Sequence, residues 1–208
     1  MKKKESRELI SNLCENIGKD NLLVQGAGGN ISWKDSKTLW VKASGTWLEN
    51  ANKENIFVPV SLKTINKEIS NGNFSFKPSA NNNSKLKPSI ETILHALMKQ
   101  KYVLHLHAVD VISDIIKENC NDVLNSKIPK KFYWKLIDYH TPGPDLAKSI
   151  NNTLIENPET NILFLKNHGL VIADNTIDGL TDILKKISEI FFKEPLHFNK
   201  ILLEKNKD

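Results

Sequence analysis

Arginine is almost missing from this 208-residue chain, with Arg7 the only one. The net charge of +5 is therefore carried by lysines, and Asp and Glu are interleaved with them almost throughout. A nucleic-acid surface is built from clustered basic side chains on one face or stripe. No arginine-rich or basic-aromatic stripe occurs here, so a nucleic-acid partner is not expected. Long apolar runs are missing too, so no segment reads as a membrane-spanning helix and no membrane partner is expected. The N-terminus, Met1-Lys2-Lys3-Lys4-Glu5, is basic, but a polar, helix-like stretch follows where an export signal needs an apolar core. Cysteine is sparse, and Cys14 and Cys120 match neither a disulfide framework nor a zinc spacing. Reduced thiols in a cytoplasmic protein are the expectation. Nucleotide-loop spacing is absent as well. Gly26-Ala27-Gly28-Gly29-Asn30 is neither a Walker loop nor Gly-x-Gly-x-x-Gly, because Ile31-Ser32 follows Asn30.

What is present is an ordinary globular composition, 39% hydrophobic and 25% charged, on a chain long enough to bury a substantial core. One domain over residues 1–208 is the simplest organisation. Leu9, Ile10, Leu13, Cys14 and Ile17 have helical spacing within a helix from Glu5 to a stop at Gly18. Leu22–Gln25 is a short apolar piece, and Thr38–Lys42 and Ile56–Val60 read as strands. Residues Asn71–Lys87 form a polar surface loop with an irregular strand at Phe74–Lys77. A helix is predicted over Pro88–Lys99, with Ser89 in its N-cap region. An apolar strand follows over 102–108, then a helix over Val109–Glu118 and a strand at Lys135–Tyr139. The remaining expectations are a helix at Asp145–Ile155, strands at Asn161–Leu165 and Gly169–Ala173, and a last helix over Thr176–Phe192. No internal repeat is visible. Strands and helices mix without strict alternation, which points to an α/β fold with a mixed or largely antiparallel sheet and helices packed on it.

Chemistry concentrates in a few places. In Tyr102-Val103-Leu104-His105-Leu106-His107-Ala108 two histidines stand at i and i+2, which on a strand share one face. Two neutral imidazoles aimed at one point suit a divalent transition metal, although a half-exposed strand also carries such a pair. His168, in Lys166-Asn167-His168-Gly169, completes three protein ligands with open coordination for substrate, as in catalytic zinc sites. Alone, a His-Gly is an ordinary turn, with the glycine permitting a tight bend. Glu91 and His95 lie four apart on the helix before the strand. A carboxylate at Glu91 is either an acid/base group tuned by a metal or a first-turn acid favoured by the helix dipole. His95 reads as a packed or supporting residue, and His140 and His197 are weaker candidates. Gly26–Asn30 and Ala43-Ser44-Gly45-Thr46 are small-residue turns whose N–H groups can wrap an anion.

Five stretches together carry a resemblance: Gly28-Gly29-Asn30-Ile31-Ser32, Lys42-Ala43-Ser44-Gly45-Thr46, Pro88-Ser89-Ile90-Glu91-Thr92, His105-Leu106-His107 and Asn167-His168-Gly169-Leu170. Their order and spacing resemble the class II aldolase/adducin family, over nearly the whole chain from the first helix to the last. The resemblance implies a three-layer α/β/α domain with a central, mainly antiparallel sheet, assembled as a homotetramer. It implies a divalent metal, normally zinc, on His105, His107 and His168, and an acid/base role for Glu91. It places substrate phosphate on Gly29, Asn30, Ser44, Gly45 and Ser89. The implied activity is that of a metal-dependent aldolase, cleaving a small ketose phosphate by retro-aldol reaction through a metal-stabilised enediolate. Dehydratase and epimerase relatives use the same metal site, and adducin-like members are non-catalytic interaction modules. Glu rather than Asp at position 91 counts against the epimerase.

Two departures stand out. Ile90 occupies the place of a second serine before the glutamate, which removes one hydroxyl from the phosphate pocket. The tyrosines that protonate the leaving group have no clear motif, with Tyr133 and Tyr139 as candidates. Some relatives with a similar pattern are fused to a short-chain dehydrogenase domain. A chain of this length does not hold one, so no nicotinamide role is expected.

Overall fold

The structure, a computed structural model, describes residues 3–81 and 84–194. Helix α1 (Lys3–Gly18) buries Ile10, Cys14 and Ile17, while Leu9 stays largely exposed. Gly18 ends it for a steric reason, because an added Cβ would lie 2.3 Å from the Glu49 amide nitrogen. A short 3-10 turn at Leu48–Asn50 packs against the helix at this place.

Among the described residues, seven strands form one sheet in the order β3-β2-β1-β4-β7-β6-β5. They are β1 (Asn30–Lys34), β2 (Thr38–Lys42), β3 (Phe57–Ser61), β4 (Tyr102–Leu106), β5 (Trp134–Ile137), β6 (Ile162–Leu165) and β7 (Gly169–Asp174). The sheet is mixed, which corrects the expectation of a mainly antiparallel one. β5 and β6 run parallel, whereas the other neighbours pair antiparallel. The reason lies in the connection, since α6 (Pro144–Glu156) carries the chain from β5 to β6. A crossover helix returns the chain to the same end of the sheet, so the joined strands run parallel.

The alternation along β4 divides its side chains between two packed clusters. Tyr102, Leu104 and Leu106 join Val111 and Ile115 of α4 (Val109–Ile115), Leu124 of α5 (Cys120–Lys127), and Leu180 and Ile187 of α7 (Ile177–Phe191). Val103 instead packs with Leu94 and Met98 around α3 (Thr92–Leu97) and with Leu146 and Ile150 of α6. Leu39, Val41, Val58 and Val60 meet Leu62 and Ile65 of α2 (Leu62–Ser70) in a third cluster. His105 replaces an apolar side chain in the β4 alternation.

Several expectations shift. Strand β1 takes up Asn30-Ile31-Ser32, which the glycines before it suggest as part of a turn. Helices α2 and α5 are additional, and residues 74–77 are not a strand. The helix expected over Pro88–Lys99 contracts to α3, because Ser89 Oγ accepts from the Glu91 amide and Ser89 O accepts from Thr92, forming a separate turn first. Among the described residues no helix is long and apolar enough to cross a membrane.

Candidate active site

His105 sits in the middle of the sheet, fully buried, paired to Asn30 of β1 on one side and Val171 of β7 on the other. His107 lies just beyond the end of β4, so the shared-strand expectation holds for His105 alone. The two rings still approach to 5.1 Å between centroids. His168 comes from the turn joining β6 to β7, where Asn167 takes φ 54° and the His168 amide donates to Leu165 O at 3.0 Å. The left-handed residue is thus Asn167, one of the residue types that tolerates it. Gly169 serves a different purpose. A Cβ there would fall 2.3 Å from Leu106 O and 3.3 Å from the His105 ring, so glycine lets the turn land against the end of β4.

The result is a three-imidazole cluster. Ring centroids are 4.8 Å apart for His105–His168 and 5.3 Å for His107–His168. One ligand-capable nitrogen from each of the three lies within 4.8 Å of the others. His105 Nδ1 donates to Leu170 O at 3.1 Å, which fixes the tautomer and leaves the Nε2 lone pair free. That nitrogen has no hydrogen-bond partner, and neither does Glu91 Oε1 3.4 Å away, although both are buried. Buried polar atoms are normally paired, so such atoms around one point suit a bound cation.

Glu91 is the residue immediately before α3, and its Oε1 lies 3.4 Å from His105 Nε2 and 3.5 Å from His168 Nε2. Burial is the main cause that lowers His105 to about 3, with His107 adding to it. Burial likewise lowers His168 to about 4, helped by His105 and opposed by Glu91. Burial pushes Glu91 above the usual carboxylate range, against the pull of His168, His107 and Lys42. His105 and His168 are therefore neutral near pH 7, as metal ligation requires, and their contacts with Glu91 are not ion pairs. A carboxyl with a raised pKa beside them suits proton transfer.

The glycine turn borders the histidine cluster, and Lys42 ties the Ser44-Gly45 turn to it. Asn30 is buried with its Oδ1 unpaired, and Gly29 takes φ 65° with its position closed in by Val24, Leu48 and His105 O. The Ser44 amide donates to Lys87 O at 2.9 Å and Ala43 bridges Pro88, which sets Ser44 and Gly45 beside Ser89. Two further residues belong to this arrangement and were not picked out as site residues from the sequence. Gly28 packs directly on the His107 ring, with an added Cβ 3.3 Å from Nδ1. Lys42 is buried, and its Nζ donates to Ala27 O at 3.0 Å and Thr46 O at 2.5 Å, linking the two turns. Burial lowers Lys42 to about 8, with Cys14 and Glu91 opposing. The signal for Lys42 was a lysine continuing an apolar strand.

Other candidates fall away from the cluster. His95 is fully buried, and its Nδ1 shares a 2.8 Å hydrogen bond with Ser32 Oγ, so it supports the packing of α3 on β1. His140 lies in the loop between β5 and α6, and Tyr133 and Tyr139 are largely exposed beside β5 at the sheet edge. His197 and the segment after Pro195 lie outside the described residues.

The family model for the class II aldolase and adducin N-terminal domain matches residues 8–190. An uncharacterized oxidoreductase, YuxG, from Bacillus subtilis is 28% identical over 176 residues, covering 77% of this chain. The chain spans only 25% of that relative's length. Among solved structures, the N-terminal class II aldolase domain of a Thermoplasma acidophilum protein matches with TM-score 0.75 and 24% identity, covering 91% of this chain and 93% of the other. YgbL of Klebsiella pneumoniae, a putative aldolase/epimerase/decarboxylase, matches with TM-score 0.67 and 17% identity over 100% and 93%. An L-fuculose 1-phosphate aldolase matches with TM-score 0.64 and 13% identity over 98% and 95%. At these identities the structural likeness is one of fold.

Proposed function

The chain belongs to the class II aldolase and adducin family, and from that premise we propose that it is a metal-dependent lyase cleaving a small ketose phosphate by a retro-aldol reaction. The observation that carries this reading is the three-imidazole cluster with the Glu91 carboxyl 3.4 Å from His105 and 3.5 Å from His168. A scaffold needs none of these groups together. His105, His107 and His168 would hold zinc or another divalent ion, which supplies Lewis acidity toward the substrate's carbonyl and neighbouring hydroxyl. Leu170 O orients His105, as the second shell of metal sites generally does. Glu91 would move the proton that accompanies cleavage of the C3–C4 bond, its pKa being raised by burial above that of an ordinary carboxyl. Gly29, Asn30, Ser44, Gly45 and Ser89 would bind the phosphate. The reading extends to one domain over residues 1–208 with a three-layer α/β/α arrangement, a homotetramer, and a cytoplasmic location consistent with the two free, buried cysteines.

Dehydration or epimerisation would use the same cluster, and a panel of ketose phosphates separates the outcomes as two fragments, lost water or an isomer. An adducin-like interaction module would bind no metal. Purified protein is expected to hold near-stoichiometric zinc. Glu91→Gln should lose turnover and keep the metal, while His105→Ala should lose both. Full activity in a metal-stripped His105→Ala protein would sink the proposal.

A further inference from the structure

We propose that the substrate carries an apolar alkyl or aryl group, held in a cavity that adjoins Glu91. The fold forms a cavity of about 800 Å³ between residues 74–80 and 84–91, the start of α3 and the start of α6. That volume is within the range of small-molecule sites. Apolar Phe74, Phe76, Ile90 and Leu146 line it together with Lys77, Lys85 and Lys87, so much of the wall is apolar with cationic side chains among it. Along 74–80 half-buried Phe74, Phe76, Pro78 and Ala80 alternate with exposed Ser75, Lys77 and Ser79. The segment is not a strand, yet it turns an apolar edge inward.

The occupant follows from what else is in the wall. Ser89 and Glu91 are both lining residues, so the cavity adjoins the residue whose carboxylate lies beside His105 and His168. Ile90 stands between them and is 70% exposed, so core packing does not account for its side chain. It offers no hydrogen bond to a phosphate, but it adds apolar surface where a bound substrate would pass from the imidazole cluster into the cavity. A compound whose oxygens reach the cluster and which also carries an apolar group satisfies both ends. Burying each methylene there is worth about fourfold in affinity.

This inference rests on the metal site proposed above. The test uses the zinc-loaded full chain and two hydroxamates, which chelate a metal through adjacent oxygens as a hydroxycarbonyl does. Acetohydroxamate presents the chelating head alone, and hexanohydroxamate adds a longer alkyl tail. By calorimetry, hexanohydroxamate should bind at least tenfold more tightly. That ratio should shrink severalfold in Ile90→Ser, which makes the entrance polar, and in Ala80→Phe, which fills the cavity. Equal affinity for the two hydroxamates in the unaltered protein overturns the inference and leaves the metal-site reading standing. If neither binds, the metal-site reading fails and this one with it. Binding of both without a gain from the tail removes only the apolar group.

Discussion

At Gly169 an added Cβ would lie 2.3 Å from the Leu106 carbonyl oxygen, closer than such atoms approach without backbone movement. Because His168 immediately precedes it and Leu170 O holds His105, any shift there moves two of the three imidazoles. Gly169→Ala is expected to destabilise the fold by about 1–3 kcal/mol, the usual cost of overpacking, and to weaken binding of the proposed metal as well. Urea denaturation and metal titration of the variant measure the two effects separately. Unchanged zinc affinity would show that the turn tolerates the displacement. His-Gly was visible in the sequence as a turn, but its glycine is set by contact with a strand more than 60 residues away in the chain, so its reason was not.

Among the elements, the end of β2 decides how the site is assembled. Lys42 leaves the strand and ties Ala27 O to Thr46 O, so the glycine turn and the Ser44-Gly45 turn are held at one spacing. Its burial costs free energy, as the pKa lowered to about 8 indicates. Removing the charge therefore relieves a desolvation penalty while deleting two hydrogen bonds, and the two effects offset in stability. Lys42→Met is expected to change the melting temperature little. It should raise KM for the proposed ketose phosphate about tenfold, or about 1.4 kcal/mol, as the two turns lose their fixed spacing, with a smaller change in kcat. Steady-state kinetics read the split, and a large fall in melting temperature with unchanged KM would assign Lys42 a purely structural role. The elements themselves were legible where periodicity was long. The span of α6 and the bounds of α7 emerge nearly as expected, whereas the helix after Pro88 shortens because the Ser89 hydroxyl and carbonyl take the hydrogen bonds of its first turn.

For the whole molecule, burial of the site makes stability depend on pH. In the unfolded chain histidine titrates near 6.5, whereas His105 is lowered to about 3 and His168 to about 4. Between pH 6.5 and about 4 the unfolded state thus binds protons that the native state does not. The metal-free protein should lose stability as pH falls through this window, by about 1.4 kcal/mol per pH unit for each unmatched proton. Glu91 acts in the opposite sense. Its raised pKa lets the native state keep a proton above about 4.5 that the unfolded chain releases, so the observed slope is smaller than the histidines alone would give. Urea midpoints across pH 4–7 test this, and a flat profile would contradict buried, neutral imidazoles. By itself the sequence determined the α/β class, the residues His105, His107, His168 and Glu91 as a candidate set, and the two anion-friendly turns, because residue type and spacing along a strand or turn are local properties. Only the tertiary structure decided that β5 and β6 run parallel, that Lys42 joins the two turns, that Gly169 faces Leu106, and that a cavity with much apolar wall adjoins Glu91. Each of these depends on which distant segments meet, and that is set by packing across the sheet.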